Sequence, residues 1–330
     1  MFFMIIGFWV TQIVRAVATF SIAEHMASGV STAAEIAAAE STDPDATRRL
    51  LRTCASLGLL TSADGVHYQG TALLDTLRQD APNSLYGWAR AQGAPGLWLG
   101  WGRFPDAIRT GSRQAIPALG SEIFDYYAKT PEEARYFTIA MDNLSAEVAG
   151  EVVRVLDTSQ TALAIDVGGA SGSLVHSLML ASPRLRGAVL DLPHVVPDAV
   201  AAAAALGLGD RFTAEPGDFF EAVPPADLYL LRYVLVDWDD EQCVRILRNC
   251  RKSLVGPGRV VVVDQLVGRP GEPGFAPLMD LCMLVLLPGR ARDLAEYEKL
   301  FAAAGLRTAR VIQTRTPFVV IEAVAADRDI

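Results

Sequence analysis

A chain of 330 residues with 51% hydrophobic and 20% charged side chains can bury a large core and reads as two domains. A formal net charge of −9 argues against a nucleic-acid partner, because binding phosphates requires a positive footprint. The four cysteines (Cys54, Cys243, Cys250, Cys282) contain no CxxC pair, which argues against a zinc site or disulfide framework and points to a reducing cytoplasm.

The first twenty residues are apolar enough to resemble a membrane span, but Thr11, Gln12 and Arg15 interrupt them. No cationic flank precedes the run, so it is not read as a signal peptide. It reads as a helix packed against another subunit, and its abrupt start leaves room for a polar leader ahead of it. Ser31 or Thr32 caps a helix with Glu35 in its first turn, and Asp43-Pro44-Asp45 opens the next helix, which stops at Gly58. Leu59–Thr61 and Val66–Tyr68 flank Ser62-Ala63-Asp64-Gly65 as a hairpin. Helices followed by a hairpin make a winged-helix-like arrangement. Residues 1–100 carry six arginines, no lysine and eight acidic residues, so this module is read as a dimerisation domain and not as a DNA reader. It is assigned to residues 1–155.

From about residue 160 strands and helices alternate. Strands are expected at 162–167, 187–191, 211–214, 227–232, 259–264, 308–313 and 317–324. Helices are expected at 172–181, 195–206, 239–254 and 293–304. This alternation predicts an α/β domain over 156–330 with a mainly parallel sheet. The last two strands are joined only by Thr314-Arg315-Thr316, which permits nothing but an antiparallel hairpin.

One loop carries chemistry. Ala164-Ile165-Asp166-Val167-Gly168-Gly169-Ala170-Ser171-Gly172 joins a strand to a helix, and Asp191 closes the next strand. Glycines let a ligand approach the backbone, and a carboxylate about twenty residues on can hold two ribose hydroxyls. A dinucleotide fingerprint would need glycines where Ala170 and Ser173 stand. The spacing is the looser G-x-x-x-G that suits a nucleoside without a pyrophosphate, or an ordinary tight turn.

Four further segments follow in order: Val189-Leu190-Asp191-Leu192-Pro193-His194, Gly217-Asp218-Phe219-Phe220, Leu231-Arg232-Tyr233-Val234-Leu235-Val236-Asp237-Trp238 and Met279-Asp280-Leu281-Cys282-Met283, leading into Gly289-Arg290-Ala291-Arg292. With the loop, this set resembles the small-molecule O-methyltransferases dependent on S-adenosylmethionine (SAM), of the plant caffeic-acid and actinomycete polyketide-tailoring kinds. The resemblance covers essentially the whole chain. It implies a Rossmann-like SAM domain, a homodimer formed through the N-terminal domain, and S-adenosylhomocysteine (SAH) as product. It places Asp166, Gly168, Gly169 and Gly172 at the methionine part and Asp191 with Leu192 at the ribose. Asp218 and Phe219 fall at the adenine, Arg232 takes a place usually held by lysine, and Trp238 closes over the adenine face. The acceptor pocket falls to Tyr127, Phe137, Met141 and Asn143 before the SAM domain, and to Val236, Met279, Met283 and Leu287 within it. Plain packing is the alternative for each of these. Asp237 and Asp239 read as caps of the helix that begins there.

The resemblance breaks at the base. The family's histidine precedes the Asp-Trp pair, and Val236 stands there. Of the two acidic residues that orient that histidine, Asp264 keeps the first position and Ala291 replaces the second. His25, His67, His176 and His194 are not expected to take over. Positioning alone can supply about 7–11 kcal/mol of barrier reduction. The expected activity is therefore O-methylation of an aromatic or polyketide-like molecule in secondary metabolism, resting on proximity. The alternatives are a SAM-binding fold repurposed for hydroxylation, decarboxylation or pericyclic chemistry, and a non-catalytic partner subunit. No His/Asp/Glu cluster at ligand spacing suggests a metal.

Overall fold

A computed structural model describes residues 1–81, 84–193 and 195–326, with the backbone alone at 142 and 144–147. The chain divides into two units, 1–102 with 123–144 and 103–122 with 145–330.

The first unit is helical apart from a two-stranded ribbon of β1 (Leu60–Thr61) and β2 (Gln69–Gly70). Thr32 caps Ala33–Glu40 in a reciprocal capping box with Glu35, and Asp43 caps Pro44–Ser56 by accepting from the Ala46 N–H. The hairpin's second strand lies three residues beyond its expected place. The Asp64 carboxylate gathers the Val66 and His67 N–H groups, and His67 instead forms an isolated bridge to Thr32. The core of this unit joins Val17, Ile22, Ile36, Leu51, Cys54, Leu60 and Leu74. Phe2, Phe3, Phe8 and Trp9 are exposed on the unit's surface. Among the described residues no helix is long and apolar enough to cross a membrane.

The second unit carries a seven-stranded sheet of β3 (Leu163–Val167), β4 (Arg186–Asp191), β5 (Phe212–Pro216), β6 (Ala226–Arg232), β7 (Leu254–Asp264), β8 (Leu306–Gln313) and β9 (Val319–Ala325). Their spatial order is β5-β4-β3-β6-β7-β9-β8. The first five are parallel, whereas β9 runs antiparallel to both β7 and β8. Each expected strand is present. The central strands are buried on both faces, which is why they read as continuous apolar runs such as Val260-Val261-Val262-Val263. On one face Ile165, Tyr229, Leu231 and Val262 pack against Cys243, Ile246, Leu247 and Cys250 of the helix Asp240–Ser253 and against Tyr297 and Phe301 of Leu294–Ala303. Chain order reverses between β3 and β6, and in sheets of this kind ligands bind beyond the strand ends at such a switch.

Candidate active site

The loop after β3 shows why glycine is required. Gly168 has φ +66°, and a Cβ there would sit 3.2 Å from Val234 Cγ2 and 3.4 Å from the Phe219 ring. At Gly172, φ +78°, a Cβ would meet the His176 ring and Val189 at 2.9 Å. At Gly169 it would fall 2.7 Å from the Asp166 carboxyl carbon. Asp166 is thus folded beneath its own loop. Burial pushes its carboxyl up to about 6, opposed by the nearby Arg232 guanidinium. Ala170 also takes a positive φ, 50°, and its N–H donates to Asp191 Oδ2 at 2.9 Å. Asp191 Oδ1 accepts from the Leu192 N–H at 2.7 Å. Each of these carboxylate oxygens has two lone pairs, so one on each stays available to a ribose hydroxyl.

Next to the loop, the exposed Asp218 accepts from the Phe220 N–H at 2.8 Å. Phe219, Phe220 and Trp238 meet edge to face, with ring centroids 4.7–6.1 Å apart. Phe219 therefore links the Gly168 wall to Trp238.

Beyond β6 the chain turns sharply. Tyr233 has φ 53°, a strained value for a non-glycine residue, and its phenol oxygen accepts from Gln265 Nε2 at 2.8 Å. It also packs on the Phe318 edge. A single 3-10 turn, Leu235–Asp237, follows. Val236 is buried and forms one apolar cluster with Met283 and Ala291, joined by Tyr233, Val267, Met279, Cys282 and Leu287. The expected base position and the expected second acidic position thus fall in one cluster, both apolar. Gly289 lies flat against the backbone of this turn: a Cβ would stand 2.6 Å from the Trp238 nitrogen and closer still to the Val236 carbonyl oxygen. Arg292, wholly buried, donates to the carbonyls of Leu235 and Trp238 at 2.8 Å each and to Asp240 Oδ1 at 2.8–3.0 Å. The turn is therefore held from two sides.

Asp239 caps the following helix, accepting from the Gln242 N–H at 2.8 Å, and Asp237 does not. Asp264, buried at the end of β7, accepts from Tyr297 Oη at 2.7 Å and from the Gln265 N–H at 2.8 Å. Burial pushes its carboxyl up to about 6, against those hydrogen bonds. His176 is buried against Phe212 and burial holds it down at about 4, while His25 pairs with Glu40 and His67 with Asp64. His194 lies outside the described residues.

The residues expected around an acceptor divide between the units. In the first, Tyr127 stacks on Phe137 with centroids 5.1 Å apart. Asn143 Nδ2 donates to the Ser84 carbonyl at 2.6 Å, and Met141 is half-buried on the same helix. In the second, Met279, Met283, Leu287 and Val236 belong to the cluster just described.

The O-methyltransferase domain family matches residues 101–307, and the O-methyltransferase dimerisation domain matches 3–80. The chain belongs to the O-methyltransferase family. This methyltransferase is 35% identical over 321 residues to the phenazine O-methyltransferase PhzM of Lysobacter antibioticus, covering 97% of this chain and 94% of that one. It is 34% identical to a mitomycin biosynthesis 6-O-methyltransferase of Streptomyces lavendulae, covering 92% and 87%. Among solved structures, that of LaPhzM superposes with a TM-score of 0.93 at 34% identity over 98% of each chain. An O-methyltransferase from neocarzinostatin biosynthesis, crystallised with SAM and 2-hydroxy-5-methyl naphthoic acid, gives 0.84 at 31% identity over 96% of each. The methyltransferase uses SAM, which when bound supplies an electrophilic methyl group on a sulfonium. The loop fits such a ligand, because the glycines keep its walls free of side chains and Asp191 retains acceptor capacity.

The sequence segments contain Gly289, Arg292 and the strained Tyr233 but assign them no role. Only tertiary contacts give them meaning. A positive φ at tyrosine has no sequence signature, and an arginine in Gly289-Arg290-Ala291-Arg292 reads as solvent-exposed.

Proposed function

We propose that this methyltransferase transfers a methyl group to a hydroxyl of a planar aromatic molecule of secondary metabolism, by holding an acidic hydroxyl in place without histidine. The observation that carries this reading is the joint replacement at Val236 and Ala291, which share one apolar cluster in a chain that keeps the glycine loop and its bond to Asp191. A buried valine accepts no proton, so the larger part of the rate enhancement rests on orientation. In this reading Gly168, Gly169, Gly172 and Asp166 shape the methionine end, with Arg232 near it. Asp191 and Leu192 hold the ribose, and Asp218, Phe219 and Trp238 hold the adenine. Asp264 keeps β7 anchored to Tyr297. Met279 and Leu287, half-buried at the edge of that cluster, offer an apolar surface to an aromatic ring, backed by the buried Val236 and Met283. The relatives act on phenazine and mitomycin scaffolds by name, which supports an aromatic or quinonoid acceptor.

The active form is a homodimer built through the N-terminal unit, whose exposed Phe2, Phe3, Phe8 and Trp9 suit coverage by a second copy. The free cysteines fit a reducing cytoplasm.

The test is turnover of methyl-labelled SAM with a panel of hydroxylated aromatic acids, read by mass spectrometry. Rates that rise with the acidity of the acceptor hydroxyl support the reading. Methylation that ignores acidity, or a label on nitrogen or carbon only, refutes it.

A further inference from the structure

We propose that Asp237 accepts the proton of the acceptor hydroxyl, the task that Val236 cannot perform; this rests on the O-methyltransferase reading above. Asp237 ends the 3-10 turn beyond β6, one residue after the position expected for a base. It lies where chain order reverses and ligands bind in such sheets. The helix that follows is capped by Asp239, so Asp237 is not consumed as a cap. Among the described residues nothing donates a hydrogen bond to its carboxyl. Val236 is shut into its apolar cluster, whereas Asp237 keeps partial access to solvent.

A second polar atom in the same region also lacks a partner. Gln265 follows Asp264 at the end of β7; its Nε2 donates to Tyr233, and its Oε1 is buried with no hydrogen bond. A carboxylate that can take a proton and an amide oxygen that can accept from a ligand donor thus flank the same pair of strand ends. Both are what an aromatic acceptor with a hydroxyl and a second polar group would satisfy.

The surroundings set the acidity. Burial, reinforced by the Asp264 carboxylate on β7, pushes Asp237 up to about 8. Tyr233 stands beside it at the end of β6, and Arg292, paired with Asp240, braces the far side of the turn. A carboxylate of that basicity is a far better match for a phenol than an ordinary aspartate. In the step, the acceptor O–H bond breaks and its proton goes to an Asp237 carboxylate oxygen. The oxygen's electron pair forms the O–CH₃ bond, and the pair of the breaking C–S bond stays on sulfur, leaving SAH.

The experiment compares wild type with Asp237→Asn on 2-naphthol and on 1-nitro-2-naphthol, whose nitro group ionises the hydroxyl near neutral pH. The Asn side chain matches the protonated acid in shape. Melting temperature and SAH binding by calorimetry are measured first. The proposal predicts that Asp237→Asn loses about 10²–10⁴-fold on 2-naphthol while the nitro compound is methylated within about threefold of wild type. It also predicts that the rise in the wild-type 2-naphthol rate as pH approaches about 8 disappears in the variant. Equal loss on both acceptors, or unchanged rates and pH profile, overturns it. If Asp237→Asn fails to fold or bind SAH, Asp237→Glu replaces it, and an unchanged pH profile there overturns the proposal. A wild type that binds SAH yet methylates neither naphthol sinks the proposal for these acceptors; if it also methylates nothing in the aromatic panel, the methyl-transfer reading falls as well.

Discussion

Replacing Gly289 with alanine should damage the site more than the fold. A Cβ at position 289 would lie 2.6 Å from the Trp238 nitrogen and closer to the Val236 carbonyl oxygen, all of it backbone. Ordinary contact requires about 3.4 Å or more, so one side must retreat by at least about 1 Å, and by more at the Val236 oxygen. The turn resists this, because Arg292 ties the Leu235 and Trp238 carbonyls to Asp240. Overpacking of this kind costs about 1–3 kcal/mol. The displaced segment carries Val236, Asp237 and Trp238, and a misplacement of about 1 Å can cost around 10²-fold in rate. The expected outcome is therefore a modest fall in stability by urea unfolding and a fall in kcat of about two orders of magnitude. SAH affinity should change by less, because the Asp191 end of the site is untouched. A Gly289→Ala protein with wild-type kcat would refute the claim that this turn positions the chemistry.

Three more outcomes follow from the same geometry. Val236→His and Ala291→Glu should each destabilise, since each buries an unpaired polar group at about 1–3 kcal/mol. Combined they should recover about 0.5–3 kcal/mol through coupling within their shared cluster, and strict additivity in a double-mutant unfolding cycle would refute that coupling. Asp191→Ala should weaken SAH binding about 10- to 100-fold by calorimetry, as expected for loss of a charged hydrogen-bonding partner. Unaltered affinity would remove Asp191 from the ribose. His176 is held at about 4 from an ordinary 6.5, so the native state disfavours its protonated form. That contribution to stability is complete above pH 6.5 and is lost as pH falls towards 4, amounting to about 3 kcal/mol at most. Asp166 and Asp264, with raised values, act in the opposite sense over this range. The difference in unfolding free energy between wild type and His176→Phe isolates the histidine, and a difference that does not vary between pH 4 and 7 would contradict its burial in neutral form.

Much of the fold is legible because local chemistry agrees with tertiary structure. Thr32 with Glu35, Asp43 before Pro44 and Asp239 with Gln242 announce helix starts through side-chain hydrogen bonds that the sequence itself contains. The parallel strands read clearly because they are buried on both faces. The second strand of the small hairpin departs from its expected place because one side chain, Asp64, captures the backbone groups expected to pair. Within the site, the glycine loop and Asp191 could be seen in advance, since their spacing reflects a backbone requirement. Asp237 could not be told from Asp239: two aspartates flank one helix start, and only the structure shows which of them caps it. The apolar meeting of Val236 with Ala291 joins residues 55 positions apart, and nothing local encodes it.

The central claim is methyl transfer without histidine, and the most direct measurement is the ratio of SAH formed to methylated product in a single turnover with labelled SAM. The account predicts one labelled methyl on an acceptor oxygen for each SAH, with the wild-type Val236 enzyme alone in the reaction. A transformed acceptor with SAM left intact, or SAH released without a methylated product, would contradict it.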